Sequence, residues 1–169
     1  MLLSNDAIYF NQTLTSQAAV FDFLAKQAVT LGIATDAGAV LASLQEREAL
    51  GTTGMMDGFA IPHAKDASIK EAKVIILKLT SGIDWQSMDG QAIDFIFCLM
   101  IPDSQAGTTH LKLLSQLARL LMRQPVKQAL KEAQSPQAIL HVLAQELESE
   151  PHNGKTTLPS VRPLMGGGF

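Results

Sequence analysis

Three side chains of this chain have the types and settings for group-transfer chemistry: His63, His110 and Arg47. His63 closes the stretch GTTGMMDGFAIPH (51–63), where a glycine-studded loop supplies positive φ and close backbone approach. Ala60 and Ile61 anchor a short apolar strand there, and Pro62 fixes the exit geometry. An imidazole presented in this way can act as nucleophile, base or metal ligand, because one neutral ring nitrogen keeps a lone pair at neutral pH. The plainer alternative is a histidine that merely ends a strand. His110 falls in the first turn of a predicted helix, where backbone N–H groups and the helix dipole attract an anion. Simple filling of that turn is an equal alternative. Arg47 sits in the last turn of another helix, just before the loop. Either it is solvated and complements the dipole, or the loop folds back and lets it reach His63 and phosphate oxygens with a rigid fork of donors.

The elements that must position these groups are legible as periodicities. An extended piece is expected around 8–10. Thr15 or Ser16 can then cap a helix to about Leu31, stopped by Gly32, with Val20, Phe21, Leu24, Ala28 and Leu31 on its buried face. A second helix starts near Asp36, buries Val40, Leu41 and Leu44, and ends before Gly51. After His63 the stretch 64–67 reads as polar loop. KVIILKLT (73–80) and AIDFIFCLMI (92–101) read as inner strands, separated by the turn signals Ser81-Gly82 and Asp89-Gly90. Their apolar residues on both faces imply a sheet covered on both sides, with Cys98 an inert buried thiol. Thr108 or Thr109 can cap a helix over 110–123 that buries Leu113, Leu114, Leu117, Leu120 and Leu121. Pro125 opens a short helix to about Ala133, and Ser135-Pro136 opens a last one to about Leu147, with His141 on its surface side.

Composition narrows the chemistry. A chain of 169 residues with 47% hydrophobic content can bury one substantial core. Net charge of −3, with 13 scattered Lys and Arg, leaves no electrostatic footprint for nucleic acid. The apolar runs are far short of the roughly 20 residues that cross a bilayer, and MLLSNDAIYF lacks the basic and long apolar regions of a secretory signal. With a single cysteine, a cytoplasmic location is the expectation. The histidines lack the short paired spacing of a helical zinc motif, so no metal site is expected. GxxxxGK(S/T), GxGxxG and GxSxG are all absent, which leaves no motif for a nucleotide cofactor or a serine nucleophile.

RE at Arg47-Glu48, TG at Thr53-Gly54, DGFAIPH ending at His63, IDWQSMDG (83–90) and HLKLLSQLARLL from His110 together resemble a known family. It is the fructose/mannitol-type (type 2) EIIA of the bacterial phosphoenolpyruvate-dependent sugar phosphotransferase system, and the likeness spans about 2–147. Met55-Met56 depart from the smaller or more polar pair that relatives often carry. The resemblance implies a single α/β domain with a central mixed sheet flanked by helices on both faces. It implies a domain over 1–148, followed at 149–169 by a linker or disordered tail, a reading that the Ser, Pro, Asn and Gly content supports.

By the same resemblance, His63 accepts a phosphoryl group from phospho-HPr on Nε2 and passes it to an EIIB domain or subunit, with Nδ1–H oriented by a protein acceptor. His110 then stabilises the transferring phosphoryl group and Arg47 supplies charge. No cofactor and no nucleic acid are implied, and no direct membrane insertion, although the chain can be tethered to a membrane EIIC. The alternative is a nitrogen-related regulatory EIIA that controls partners by its phosphorylation state. A third reading is the histidine-bearing domain of a transcription regulator, which the lack of a DNA-binding segment in these 169 residues disfavours.

Overall fold

The computed structural model describes residues 2–105 and 107–149, and the backbone alone at 105, 108–110 and 147–149. Along the chain run β1 (Ile8–Gln12), α1 (Gln17–Thr30), α2 (Ala37–Leu50), β2 (Phe59–Ala60), β3 (His63–Asp66), β4 (Lys73–Ile83), β5 (Ile93–Pro102), α3 (Thr108–Leu120), α4 (Gln124–Glu132) and α5 (Pro136–Ser149). Polar caps start three of the helices. Ser16 Oγ accepts from the Ala19 N–H at 3.0 Å, Asp36 Oδ1 from the Ala39 N–H at 3.1 Å, and Ser135 Oγ from the Ala138 N–H at 3.1 Å.

The sheet order is β1-β4-β5-β2, with β3 following β2 along the free side of β5. β4 and β5 are antiparallel, while β1 runs parallel to β4, and β2 and β3 run parallel to β5. The sheet is therefore mixed. Because successive strand residues face opposite ways, the two apolar central strands feed two cores. Ile75, Leu77, Ile96, Cys98 and Met100 pack under α1 and α2. Val74, Ile76, Phe95, Phe97, Leu99 and Ile101 pack under α3, α4 and α5 through Leu120, Leu130 and Leu143. Each such large side chain, once fully buried, contributes about 1.5–3 kcal/mol. The expected single α/β domain with helices on both faces is what the structure has.

Three local expectations are corrected. Residues 64–66 are strand rather than loop: His63, Ala64, Lys65 and Asp66 pair with Leu99, Met100, Ile101 and Pro102. The ladder to a buried strand satisfies this backbone and overrides the poor strand preference of Lys and Asp. α3 begins at Thr108, not 110, on Gly107 at φ +89 with no side-chain cap, so neither threonine is the N-cap. It ends at Leu120 rather than 123, because α4 carries Pro125 in its first turn and takes an extended Arg123 as its own N-cap. Of the 149–169 segment, Ser149 is the last residue of α5, and 150–169 lie outside the described residues. Among the described residues, no helix is long and apolar enough to cross a membrane.

Candidate active site

His63 is the first residue of β3, directly across from Leu99 of β5, and it is buried. Its ring is held from both sides. Nδ1 lies 3.1 Å from the carbonyl oxygen of Ile61, two residues back, and Nε2 lies 2.9 Å from Nε of Arg47. A carbonyl only accepts and a guanidinium only donates, so the two partners agree on one tautomer. The proton sits on Nδ1 and the lone pair on Nε2. Ile61 O is thus the acceptor that the sequence left unnamed.

Arg47 reaches the ring because the loop does fold back. Its Nη1 donates to the Gly51 carbonyl at 2.7 Å while Nε faces His63. Ser43, one turn earlier on α2, fastens that helix to β3: its hydroxyl donates to Lys65 O at 3.0 Å and accepts the Lys65 N–H at 2.9 Å. The last turn of α2 is thereby set beside the first residue of β3. That the two residues would approach could only be conjectured from the sequence, since it depends on a strand that polar residues 64–66 do not advertise.

The loop between them is tied at several points. Glu48 accepts from both the N–H (3.0 Å) and the hydroxyl (2.6 Å) of Thr53. Thr53 to Met55 lie antiparallel to 59–61, through Ile61 N–H to Thr53 O at 3.0 Å and Met55 N–H to Phe59 O at 2.7 Å. Gly54 is required by close approach: a Cβ there would lie 2.5 Å from Gln86 O and 3.0 Å from Trp85 Cδ1. The TG and IDWQSMDG stretches are therefore two sides of one contact. At the tip, Asp57 adopts φ +60 and pairs with the nearly buried Lys127 of α4 at 2.5 Å. Hydrogen bonds from Lys127 and then Gln124 hold the Asp57 carboxyl below the usual carboxylate range. Asp89 Oδ2 accepts the Asp57 N–H at 2.9 Å.

His110 lies in the first turn of α3, as expected, and its side chain lies outside the described residues. Cys98 is fully buried, and burial pushes its thiol far above the usual range. Among the described residues, no group of three or more His, Cys, Asp or Glu side chains is arranged to hold a metal ion. Ser43, Glu48 and Thr53 were not singled out from the sequence as site residues. The RE and TG pairs were a signal for the last two, but their five-residue separation does not disclose a contact.

A buried strand-end imidazole with its lone pair under a guanidinium is an arrangement suited to phosphoryl transfer. The family model described as "Phosphoenolpyruvate-dependent sugar phosphotransferase system, EIIA 2" matches residues 1–146, and the chain belongs to this family of phosphotransfer proteins. Particular relatives narrow the comparison. The fructose-specific EIIA component of Haloferax volcanii is 37% identical over 134 residues, which cover 79% of this chain and 86% of the relative. The 2-O-α-mannosyl-D-glycerate-specific EIIABC component of Escherichia coli K12 is 30% identical over 161 residues, covering 95% of this chain and only 24% of the relative. The chain thus spans about a quarter of that protein. Among solved structures, the nitrogen regulatory protein IIA-Ntr of Neisseria meningitidis superposes with a TM-score of 0.77 at 25% identity, covering 84% of this chain and 96% of its own.

Proposed function

We infer that this chain is the phosphoryl-carrying unit of a sugar phosphotransferase relay, taking the group from phospho-HPr on Nε2 of His63 and passing it to an EIIB. As Arg47 gives up its hydrogen bond to Nε2 for a phosphoryl oxygen, the freed lone pair attacks phosphorus, a new N–P bond forms, and the N–P bond to the donor histidine breaks with its electron pair returning to that ring. Onward transfer repeats the exchange with an EIIB side chain as acceptor. The observation that carries this reading is the two-sided hold on His63, with Nδ1–H on Ile61 O and the Nε2 lone pair facing Arg47. A neutral imidazole fixed in this tautomer needs no base, and the adjacent guanidinium can follow the phosphoryl oxygens as their charge is transferred. His110, at the start of α3, is assigned a supporting role toward the same oxygens through its ring N–H. The folded unit covers 1–148 and extends to the end of α5 at Ser149, and the stretch after it is proposed as a linker, in keeping with a relative that joins EIIA to B and C parts in one chain.

Incubation with phosphoenolpyruvate, enzyme I and HPr, followed by intact-mass measurement, tests this. Wild type should gain one phosphoryl group and His63→Ala none, and full labelling of His63→Ala would overturn the assignment. His110→Ala should still label but discharge more slowly to EIIB. The likeness to a nitrogen regulatory protein favours a second reading, a phosphorylation-dependent regulator. An adduct on His63 that no fructose- or mannitol-type EIIB discharges would select it.

A further inference from the structure

We propose that Glu48 is a positioning residue for this transfer: it clamps the glycine loop onto the end of α2, so that Gly51 and Arg47 stay aligned on Nε2 of His63. The proposal rests on the reading of His63 as phosphoryl acceptor. Successive helix residues point about 100° apart, so Arg47 and Glu48 leave α2 in different directions, and each has its own partners. Arg47 goes to His63 while Glu48 goes to Thr53, which is 7% exposed and is held by both carboxylate oxygens.

Thr53 is the junction of the site. Its N–H and hydroxyl go to Glu48, and its carbonyl receives the N–H of Ile61, whose own carbonyl receives Nδ1–H of His63. Two residues before it, Gly51 O receives Nη1–H of Arg47, whose Nε–H meets Nε2 of the same imidazole. The tethers close a ring through His63, Arg47, Gly51, Thr53 and Ile61, and Glu48 is the carboxylate that pins the ring to α2. Hydrogen bonds to an ionised acceptor are roughly twice as strong as neutral ones, and without this one the buried Thr53 N–H is left unsatisfied. Truncation of Glu48 therefore loosens both flanks of the imidazole, though it touches neither the ring nor any phosphoryl group.

Ring-nitrogen NMR of His63 tests this in the full chain, with Arg47→Ala marking where the Nε2 resonance falls once the guanidinium is gone. In Glu48→Ala the Nε2 resonance should move toward that position. Transfer from phospho-HPr should slow about 10- to 100-fold, as a misplaced group costs, with the half-saturating donor concentration little changed. Glu48→Gln should recover most of the rate, because its amide oxygen still accepts the Thr53 N–H. The Arg47→Ala/Glu48→Ala double variant should lose clearly less than the product of the two single losses, because the Arg47 flank is shared while the Ile61 flank is not. An unmoved Nε2 resonance in Glu48→Ala, additive losses in the double variant, or failure of Glu48→Gln to recover activity would each overturn the proposal. If Glu48→Ala does not fold, Thr53→Val removes the hydroxyl donor at constant shape and is judged by the same resonance. The NMR readout needs no phosphoryl donor, so failure of His63 to label would defeat the relay reading while leaving the positioning role of Glu48 to be decided by the resonance alone.

Discussion

Two cations hold opposite ends of one loop, and they do so under opposite electrostatic conditions. At the root, Arg47 is bonded to an imidazole nitrogen and a peptide carbonyl, both neutral in the tautomer fixed by Ile61. At the tip, Lys127 is packed into the protein with its side chain 6% exposed and is paired with the Asp57 carboxylate. The field of Lys127 is cancelled on the spot by the residue it anchors. That of Arg47 is not cancelled by those two partners, and in the proposed relay it is left for an arriving phosphoryl group. On that reading the cation paired with a carboxylate serves the fold, and the cation held by neutral groups serves the transfer.

Exchange of the two cations breaks or sharpens this contrast. Arg47→Ala should slow phosphoryl transfer about 100-fold or more, as loss of a charge-stabilising donor does. Its effect on stability should stay within about 1.5 kcal/mol, because water can take the place of the guanidinium at this partly exposed site. Lys127→Met should do the reverse, lowering the urea midpoint while transfer stays within a few-fold of wild type, because the tip does not touch His63. Single-turnover transfer and urea titration of both variants give the four numbers, and similar profiles for the two would dissolve the distinction.

Between root and tip lies Gly54, and Gly54→Ala asks whether the loop acts as one body. The new Cβ would sit 2.5 Å from Gln86 O, so the two segments must part, at a cost of about 1–3 kcal/mol. Trp85, the single tryptophan, has its Cδ1 at the same contact and stacks edge-on against Phe21 at 5.6 Å. Its fluorescence should therefore change along with stability. Slower transfer in this variant would show that the root feels the displacement, whereas unchanged transfer would confine the strain to the contact with 85–87.

How much of this was legible in the sequence follows from the range of each interaction. The helices and central strands were legible because their apolar periodicities and caps are local, as with Ser16, Asp36 and the run 93–101. His63 and Arg47 were legible as candidates because glycine, proline and helix-end signals surround them. Their contact was legible only as one of two alternatives, because it depends on Ser43 bonding Lys65 across 22 residues and on pairing of 63–66 with β5. Lys127 was invisible for the same reason. Its partner is 70 residues away, and a lysine on a short amphipathic helix reads as a solvated one. The helix opened by Pro125 was read from the sequence, but α3 ends earlier than expected because that helix starts at Gln124 and takes Arg123 as its N-cap.

The smallest expected effects come from two aspartates at the tip, and their signs are opposite. The folded-state pKa of Asp57 is depressed by its bonds from Lys127 and Gln124, so its stabilisation is fully present above the ordinary carboxylate pKa and is lost as pH falls through the lower folded value. Asp57→Asn should therefore flatten part of the decline in urea midpoint below about pH 4. Asp66 and Asp89, also depressed, retain the rest of that decline. Asp94, whose Oδ1 would lie 2.8 Å from a Cβ at Gly58, is half-buried. Burial raises its carboxyl above the usual range against the pull of Lys131 and Lys78. Its ionisation therefore costs stability at neutral pH, and the cost disappears as pH falls through the raised value. Asp94→Asn, of the same shape, should raise the urea midpoint slightly at pH 7 and leave it unchanged near pH 3. A lowered midpoint at pH 7 would mean that the two lysines outweigh burial, and Asp94 would then join Asp57 and Asp89 in holding the tip.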